Sequence, residues 1–515
     1  MTTRQAHGKK SEGWALKSGW QHAGEALIAV AIAFVMLWLI PKLVPGSDVM
    51  THLTARIQAG MVGGFYPARH HDDVTVLLID DTALSKLDQG WPVPYATHAR
   101  WLKNLGSSYT PRAIFLDVTF VQARKDETLP ALVSALCGLR DRGIPVFLAA
   151  LPDPHTGQLA VRPDLKSPDE EKPCFSLVGV TFDAHKIDRL VWTYPLWMSA
   201  EEGATKPPVA QVLSRSAALA MAQDVAHIQV TQEHELMALT WGVNNLNQER
   251  FAGWCRQARG GFSEMAPPPL RALWSGDKLL KPICPYARAL TMTDLRSSSE
   301  EEDSRLHDLL DGRYVMIGAN LSGSNDMVTS PVHGEIPGVF MHAMALDNLL
   351  TYEESYKRAL EWGLPPAWPL FWLGLIVVLV AHGLRVYAPA VVAALRVRLS
   401  ENTLRTWDAI AGFIKGPGEG SGSKAQGSAD AEPAALRPWW RDLSANVLAL
   451  LLFLARKIVF IVLTTTVIMT LVVIAQKLFD VGTLPIVHLV AMVLLAELLG
   501  WTGLVSKLIF RRAGA

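Results

Sequence analysis

The apolar residues of this sequence are gathered into four stretches, and this distribution limits the fold more than any other feature. The stretches cover residues 24–44, 366–387, 458–476 and 484–506. Each supplies roughly the 20 apolar residues that are needed to cross the hydrocarbon core of a bilayer. The segment 45–365, between the first two stretches, is polar. We therefore predict an α-helical bundle of four transmembrane helices and one large domain outside the membrane.

The first stretch is predicted to remain on the mature protein as an anchor. A signal peptide has small residues before its cleavage site. The bulky residues Trp38, Leu39 and Ile40 occupy that position here.

The distribution of Lys and Arg predicts the topology. Basic segments stay in the cytoplasm, and basic residues exceed acidic ones in the tail 1–23, the loop 388–457 and the tail 507–515. The domain 45–365 then lies in the periplasm, on a bacterial inner membrane. The 48 basic and 48 acidic residues of the whole chain balance, so this domain is mildly acidic. Because phosphate binding needs basic faces, nucleic acid is not predicted as a partner.

All the cysteines of the chain fall within the domain that is predicted to be periplasmic. They are Cys137, Cys174, Cys255 and Cys284. On an oxidising side of the membrane they can form two disulfides, with three connectivities available. The alternative is four buried free thiols.

The hydrophobic pattern within 45–365 predicts an α/β core. Apolar runs of strand length occur at Val74–Asp80, Ala113–Val118, Ile144–Ala150 and Arg313–Ala319. Segments with a helical pattern occur at Thr97–Leu105, Leu129–Arg142 and Gly338–Leu350. Strands that alternate with helices predict a parallel sheet with right-handed crossovers.

The remaining segments are predicted to be additions to this core or cytoplasmic connections. Residues 151–310 are irregular and rich in Pro, Trp and Gly, so we interpret them as insertions. Within them, Arg296–Asp308 is predicted to be a solvated acidic loop. In the cytoplasm, residues 396–415 are predicted to form a basic helix on the membrane lipid. The Gly/Ser-rich segment 416–432 that follows is predicted to be flexible.

Ligands of open α/β sheets bind beyond the carboxyl ends of the strands. Polar residues at or near those ends form a candidate ligand site: Asp80, Asp81, Trp91, His98, Asp117, Asn320, Asp326 and His342. Carboxylates and imidazoles of this kind can bind a cation or a small polar ligand. The alternative interpretation is structural, because Asp81 can cap a turn and Asp326 can close a loop.

Other polar residues give no prediction of catalysis. The run His70–Asp73 resembles a metal-binding cluster, but adjacent loop residues seldom converge on one ion. We predict a solvated linker there, no metal and no cofactor. No P-loop, H-E-x-x-H or serine-nucleophile motif occurs, so the chain is not predicted to be an enzyme. In the last predicted span, Glu497 is a functional candidate, and the alternative is a neutral, hydrogen-bonded side chain.

Four segments resemble the CHASE2 sensor domain of bacterial receptors. They are DDVTVLLIDDTALSKL (72–87), WPVPYATHARWL (91–102), PRAIFLDVTF (111–120) and GRYVMIGANLSGSNDMVTSPVHGEIPGVFMHAMALDNLL (312–350). The layout of one span before the domain and three after it is also similar to such receptors. The resemblance implies an extracytoplasmic sensing domain, which is normally joined to a kinase or a cyclase. It supplies no binding residues, and we expect no output domain after the last span.

The function predicted from the sequence is signal sensing by an integral inner-membrane protein. The exterior domain would bind an unknown small-molecule or protein stimulus, and the loop 388–457 would pass the signal to a separate cytoplasmic signalling protein. A homodimer is compatible with this prediction. One alternative is an envelope scaffold that docks other proteins without sensing. A second is a metal-dependent periplasmic enzyme that uses Asp80, Asp81, Asp117 and His98.

Overall fold

The computed structural model describes most of the chain between residues 55 and 359. The described residues are 55–60, 62–122, 124–153, 155–186, 188–198, 213–230, 236–243, 254–256, 281–295, 299–323 and 326–359, with Thr466, Thr470 and Ile474. The four predicted transmembrane spans lie outside these residues, apart from three positions of the third span, 458–476. These positions, Thr466, Thr470 and Ile474, are helical. No helix in the described part is long and apolar enough to span a bilayer. The four-helix bundle therefore stays a prediction.

The described strands and helices alternate along the chain. The strands are β1 Val74–Asp80, β2 Ala113–Leu116, β3 Val146–Pro152, β4 Leu159–Ala160, β5 Ser176–Gly179, β6 Thr193–Pro195, β7 Trp197–Met198, β8 Ser214–Arg215, β9 Leu236–Ala238, β10 Arg288–Thr291, β11 Tyr314–Asn320, β12 Met327–Ser330 and β13 Gly334–Pro337. The helices are α1 Asp81–Lys86, α2 Tyr95–Ser108, α3 Leu129–Asp141, α4 Ala217–Asp224, α5 Glu300–Leu310 and α6 Val339–Tyr352, and a 3-10 turn follows at Glu353–Ser355.

A parallel sheet forms the centre of the domain, in the order β10-β1-β11-β2-β3-β5. Strand β4 pairs antiparallel with the end of β3. Strands β1 and β11 are buried over nearly their whole length, because helices cover both faces of the sheet. Their near-continuous apolar sequences are the consequence. The prediction of an α/β domain with a parallel sheet is confirmed.

The two faces of the sheet are covered by different helices. On the first face, which we call the α2/α3/α5 face, the side chains of Leu77, Ile114 and Ile317 pack against those helices. On the second, the α4/α6 face, the side chains of Val76 and Phe115 pack against α4 and α6. Side chains alternate between faces along a strand, so each strand contributes to both layers.

The segment 151–310 contributes more to the sheet than predicted. Its strands β5 and β10 form the two ends of the parallel order, where β5 pairs with β3 and β10 pairs with β1. These strands are only four residues long. Runs this short give little periodicity, so the sequence pattern did not indicate them.

The predicted solvated loop at Arg296–Asp308 is wrong, because most of this segment belongs to helix α5. The side chain of Ser299 caps the helix by accepting a hydrogen bond from the backbone N–H of Glu302. Acidic residues fill the first turn, where they interact favourably with the helix dipole. Leu306 and Leu310 are buried against the sheet. The acidic run is therefore a helix start with one apolar stripe.

Candidate functional site

The sheet divides the predicted site residues between its two faces. Asp117 follows β2 and continues the side-chain alternation of Ala113 and Phe115, so it lies on the α4/α6 face. His98 belongs to α2, and its ring contacts Phe120 on the α2/α3/α5 face. One crevice containing all the candidates is therefore not formed.

Three of the candidates have local structural contacts. The carboxylate of Asp80 caps α1 by accepting from the backbone N–H of Ala83 at 2.8 Å. The carboxylate of Asp81 accepts from the backbone N–H and the hydroxyl of Ser322, at 2.9 and 2.6 Å. These hydrogen bonds lower the pKa of Asp81. Asn320 pairs with Asp80 in the register of β11 and β1.

His98 lies within a group of aromatic rings. Its ring centroid is 6.3 Å from Trp91, 5.6 Å from Trp101 and 5.5 Å from Phe120, all with edge-to-face geometry. Burial lowers the pKa of His98 to about 4. Its Nε2 atom is buried without a hydrogen-bond partner. His98 is therefore neutral at physiological pH and acts as a packed ring.

Asp117, Asp326, His342 and Tyr194 form what we call the polar cluster. Nε2 of His342 lies 3.9 Å from Oδ2 of Asp117, which is too far for a direct hydrogen bond. Nδ1 of His342 is 2.8 Å from the hydroxyl of Tyr194. That hydroxyl also accepts a hydrogen bond from the backbone N–H of Ala218, at the start of α4. The cluster thus joins the end of β2, the start of β12, strand β6 and both helices of this face.

The two carboxyl groups of the cluster share one electrostatic environment. Burial raises the pKa of Asp117 well above its ordinary value, and the carboxylate of Asp326 raises it further. The side chain of Asp326 reaches solvent, yet enough protein surrounds its carboxyl group to raise its pKa as well. Among the described residues, no Lys or Arg forms an ion pair with either group. The side chain of Asp326 is exposed, whereas that of Asp117 is only 9% exposed.

Both remaining members of the cluster are neutral. Burial lowers the pKa of His342 to about 3. Burial raises the pKa of Tyr194 far above its ordinary value of 10.0. Neither side chain can therefore supply a compensating positive charge or become an anion at physiological pH.

Two glycines bring the start of α6 against the polar cluster. A Cβ atom on Gly318 of β11 would lie 2.4 Å from Cβ of Val339, so any larger residue would push the helix away. A Cβ atom on Gly338 would lie 2.8 Å from Oδ1 of Asp326. The backbone N–H of Gly338 donates to the carbonyl of Asp326 at 2.9 Å. The Asp326 residue is therefore fixed to the residue that precedes α6.

Helix α6 carries two further buried polar residues. The carboxyl group of Asp347 accepts from the hydroxyls of Tyr66 at 2.6 Å and Thr351 at 3.2 Å. Burial raises the pKa of Asp347 to about 6. The side-chain amide of Asn348 accepts a hydrogen bond from the backbone N–H of Thr240 at 3.1 Å and donates one to the backbone carbonyl of Thr240 at 3.0 Å. Polar contacts therefore hold α6 along its length.

The prediction of a solvated linker at His70–Asp73 is wrong for His71. This side chain is 3% exposed, and its Nε2 lies 3.0 Å from the carbonyl oxygen of Tyr286. Its ring also contacts the Tyr286 ring edge-to-face, with centroids 4.9 Å apart. The hydrophobic pattern before β1 gave no indication that the imidazole packs inside.

The structure pairs all the cysteines. Cys137 in α3 bonds to Cys174, and Cys255 bonds to Cys284. In the part of the chain that the structure describes, no group of three or more His, Cys, Asp or Glu residues could hold a metal ion. Glu497 lies outside the described residues.

Sequence reasoning did not identify Tyr194, which fixes the imidazole of His342. Tyr194 lies in the three-residue strand β6, inside the segment 151–310, which the sequence pattern predicts to be an insertion. Such a short strand carries no periodicity. The capping residue Ser216, before the apolar run of α4, was a readable helix-start signal, because Ser is favoured at that position. The capping signal at Ser216 predicts where helix α4 starts, but it does not predict the contact of this helix with Tyr194.

Comparison with known proteins supports the resemblance seen in the sequence. The model of the CHASE2 domain matches residues 28–383, which is more than half of the chain. No curated protein matches, and no solved structure matches. CHASE2 domains are extracytoplasmic sensory domains, and a sensing role is consistent with the match. By the extent of this match, the protein belongs to the CHASE2 domain family.

Proposed function

We propose that this protein is a non-enzymatic inner-membrane sensor whose periplasmic domain detects a stimulus at the polar cluster. The observation that carries the proposal is the position of the cluster at the start of α6. His342 belongs to the first turns of this helix, and Asp326 contacts the residue before it. A ligand that binds at the polar cluster and changes its contacts therefore acts directly on helix α6.

Helix α6 is the element that would pass the signal on. It ends at Tyr352, and only a short segment of sequence separates it from the predicted span 366–387. Buried polar contacts at Asp347 and Asn348 keep the second half of α6 ordered. We therefore expect the helix to shift as one body rather than to fray. The cytoplasmic loop 388–457 follows that span and would contact a separate signalling protein. Signalling then requires two arrangements of α6 with different affinity for the stimulus.

A fluorescence assay on the full chain in lipid nanodiscs tests this proposal. The native cysteines are in disulfides, so a Ser421→Cys variant gives a single labelling position in the loop 388–457. The labelled protein is exposed in turn to protons, Mg²⁺, Ca²⁺, spermidine and neutral amino acids. We expect at least one of these to change the emission, and we expect Asp117→Ala or His342→Ala to abolish the change.

The control variant is Asp81→Ala, which removes a carboxylate at the same end of the sheet but outside the polar cluster. We expect it to respond like the wild type. A wild-type response that survives in both cluster variants contradicts the proposed site. An unresponsive wild type favours the envelope scaffold instead.

A second experiment tests the relay. The full chain and a variant lacking residues 416–432 are purified from native membranes after crosslinking. We propose that one cytoplasmic protein is recovered in stoichiometric amount with the full chain. If neither sample retains a cytoplasmic protein, the relay is contradicted, although binding of a stimulus at the cluster is not.

A further inference from the structure

The segment 236–243, which we call the strap, is bonded to both ends of the described domain. The continuous description of this domain begins at residue 55, after the predicted span 24–44, and ends at residue 359, before the predicted span 366–387. We call these two ends the N-terminal and the C-terminal connection. Because both connections form hydrogen bonds with the strap, a movement of one can reach the other through it.

The strap lies close against the N-terminal connection. The backbone N–H of Val243 donates a hydrogen bond to the carbonyl of Gly63 at 3.0 Å. A Cβ atom on Gly63 would lie 2.3 Å from the carbonyl oxygen of Trp241. A Cβ atom on Gly242 would lie 2.8 Å from the ring of Tyr66. Glycine at both positions lets the two backbones approach, so neither segment has room to move toward the other.

The C-terminal connection pairs with the first residues of the strap, which form strand β9. The backbone N–H of Ala238 donates to the carbonyl of Lys357 at 2.8 Å, and that of Ala359 donates to the carbonyl of Leu236 at 2.9 Å. This pairing is antiparallel. Strand β6 pairs with β9 as well. The strap is therefore held between the domain and the chain that leaves it.

Helix α6 is bonded both to the strap and to the N-terminal connection. The side-chain amide of Asn348 forms two hydrogen bonds with the backbone of Thr240 in the strap. The hydroxyl of Tyr66, in the N-terminal connection, donates to the carboxyl group of Asp347 at 2.6 Å. The ring of Tyr66 also meets the ring of Tyr352 edge-to-face, with centroids 6.0 Å apart. The strap, α6 and the N-terminal connection thus contact one another in pairs.

These bonds favour a joint movement of the three segments over a movement of α6 alone. Tyr66, Thr240, Asp347 and Asn348 are all buried. A buried polar group that loses its partner costs more free energy than the bond itself contributes, because water does not replace the partner. If α6 moved alone, polar groups of all four residues would lose partners. If the strap and the N-terminal connection moved with it, the bonds would remain.

We propose that the strap couples α6 to both connections, so that a shift of α6 acts on the predicted span 24–44 as well as on the predicted span 366–387. This inference rests on the proposed function, in which α6 passes the signal on through the C-terminal connection. It adds a second route, through the N-terminal connection. A purely structural strap would hold α6 in place but would not transmit its displacement.

Hydrogen–deuterium exchange of the full chain in nanodiscs tests this inference without any stimulus. The variant Gly318→Ala displaces α6 instead, because the new Cβ atom would lie 2.4 Å from Cβ of Val339. We expect exchange at residues 338–345 to become faster by about fivefold or more, the effect of overpacking a core. Exchange in the strap and at residues 62–69 should also become faster, whereas exchange in α3 should not change. A change confined to residues 338–345 overturns the inference.

The matched control is Gly106→Ala, the same substitution on the α2/α3/α5 face. Its Cβ atom would lie 2.2 Å from Cδ2 of Leu139, so it disturbs the contact between α2 and α3. Exchange in the strap and at residues 62–69 should remain as in the wild type. An equal change in this variant would show that any packing defect loosens these segments, and it would overturn the coupling.

A second variant, Asn348→Leu, tests the coupling if Gly318→Ala does not fold. It removes the hydrogen bonds between α6 and the strap while keeping a side chain of similar size. We expect exchange in the strap to become about threefold to tenfold faster, as for the loss of a buried hydrogen bond. Exchange at residues 62–69 should become faster too, because the strap transmits the change. Unchanged exchange at residues 62–69 contradicts the inference.

The two proposals can fail separately. If the Ser421→Cys reporter responds to a solute through Asp117 while exchange at residues 62–69 stays unchanged in both variants, the coupling fails and the proposed function stands. If no solute changes the reporter but both variants change exchange at residues 62–69, the coupling stands and the proposed stimulus site fails.

Discussion

The two faces of the central sheet are held by different kinds of contact. On the α2/α3/α5 face, the described core is mainly an apolar layer in which His98 packs as a ring among aromatic side chains. Arg162 donates a buried hydrogen bond to the hydroxyl of Tyr95 on this face. On the α4/α6 face, buried polar groups of α6 reach the sheet, the strand β6 and the segment 236–243. Buried ionisable groups respond to protonation and to bound ligands, whereas an apolar layer carries no group that titrates.

This difference indicates which helix can switch. Moving α2 or α3 would expose apolar surface, at a cost of roughly 25 cal/mol for each Å². Moving α6 would also expose apolar surface, because its side chains are buried from Val339 to Leu350. It would in addition exchange buried polar contacts, and protonation or ligand binding can change the strength of those contacts. The predictions below test this contrast between a structural face and a responsive face.

The largest expected effect comes from the disulfides, because one lies on each face. Cys137–Cys174 closes a sequence separation of 37 residues, and Cys255–Cys284 closes one of 29. Chain-entropy estimates for loops of this length give a loss of about 4 kcal/mol for each pair replaced by Ser. Denaturant unfolding followed by tryptophan fluorescence measures both. Only the loss of the Cys255–Cys284 disulfide should also change hydrogen–deuterium exchange at residues 338–345. The same change after loss of the Cys137–Cys174 disulfide would contradict the contrast between the two faces.

The next largest effect is the pH dependence from Asp347 on the α4/α6 face. Its pKa of about 6 in the folded state exceeds the ordinary value of 3.8. The folded state therefore binds this proton more tightly, and the contribution is complete below about pH 4 and lost as the pH rises through about 6. A difference of about two units corresponds to about 3 kcal/mol. Asp347→Asn should remove this decline, measured as unfolding free energy against pH; an unchanged slope would contradict it.

His98 on the α2/α3/α5 face should give the opposite pH dependence. Its pKa falls from 6.5 to about 4 on folding. Its contribution is therefore complete above pH 6.5 and lost as the pH falls toward 4. At about pH 5 the loss is about 2 kcal/mol. His98→Phe keeps a ring in the aromatic group and should recover most of this lost stability in thermal unfolding at acidic pH. The emission of the label on Ser421→Cys in the loop 388–457 should not change. Recovery at neutral pH alone would indicate a packing effect instead.

The smallest effect is expected for Asp81→Ala at the rim of the sheet. Asp81 is exposed, so the loss of its hydrogen bonds to Ser322 should lower the unfolding free energy by about 1 kcal/mol or less. Thermal unfolding measures this change. A loss of several kcal/mol, or of the stimulus response, would place Asp81 in the responsive part of the domain.

Much of the core could be read from the sequence, because its periodicity is strong there. The predicted strand Val74–Asp80 has the same bounds in the structure, and the predicted helix Leu129–Arg142 differs by one residue from α3. The acidic run before Leu306 predicts a loop, because its charge conceals a capped helix start with a narrow apolar stripe. Strands β5 and β10 were missed because they are too short to show a pattern.

The sequence by itself determined the α/β core, its parallel sheet and the polar residues at the carboxyl ends of the strands, since these depend on local pattern. Only the tertiary structure decided which of those residues meet. Side-chain alternation placed Asp117 on one face and the chain crossover placed His98 on the other. The contact between His342 and Tyr194 joins residues 148 positions apart, and the close approach of α6 depends on Gly318. Packing between distant segments leaves no periodic signal, so the polar cluster could be recognised only in the folded domain.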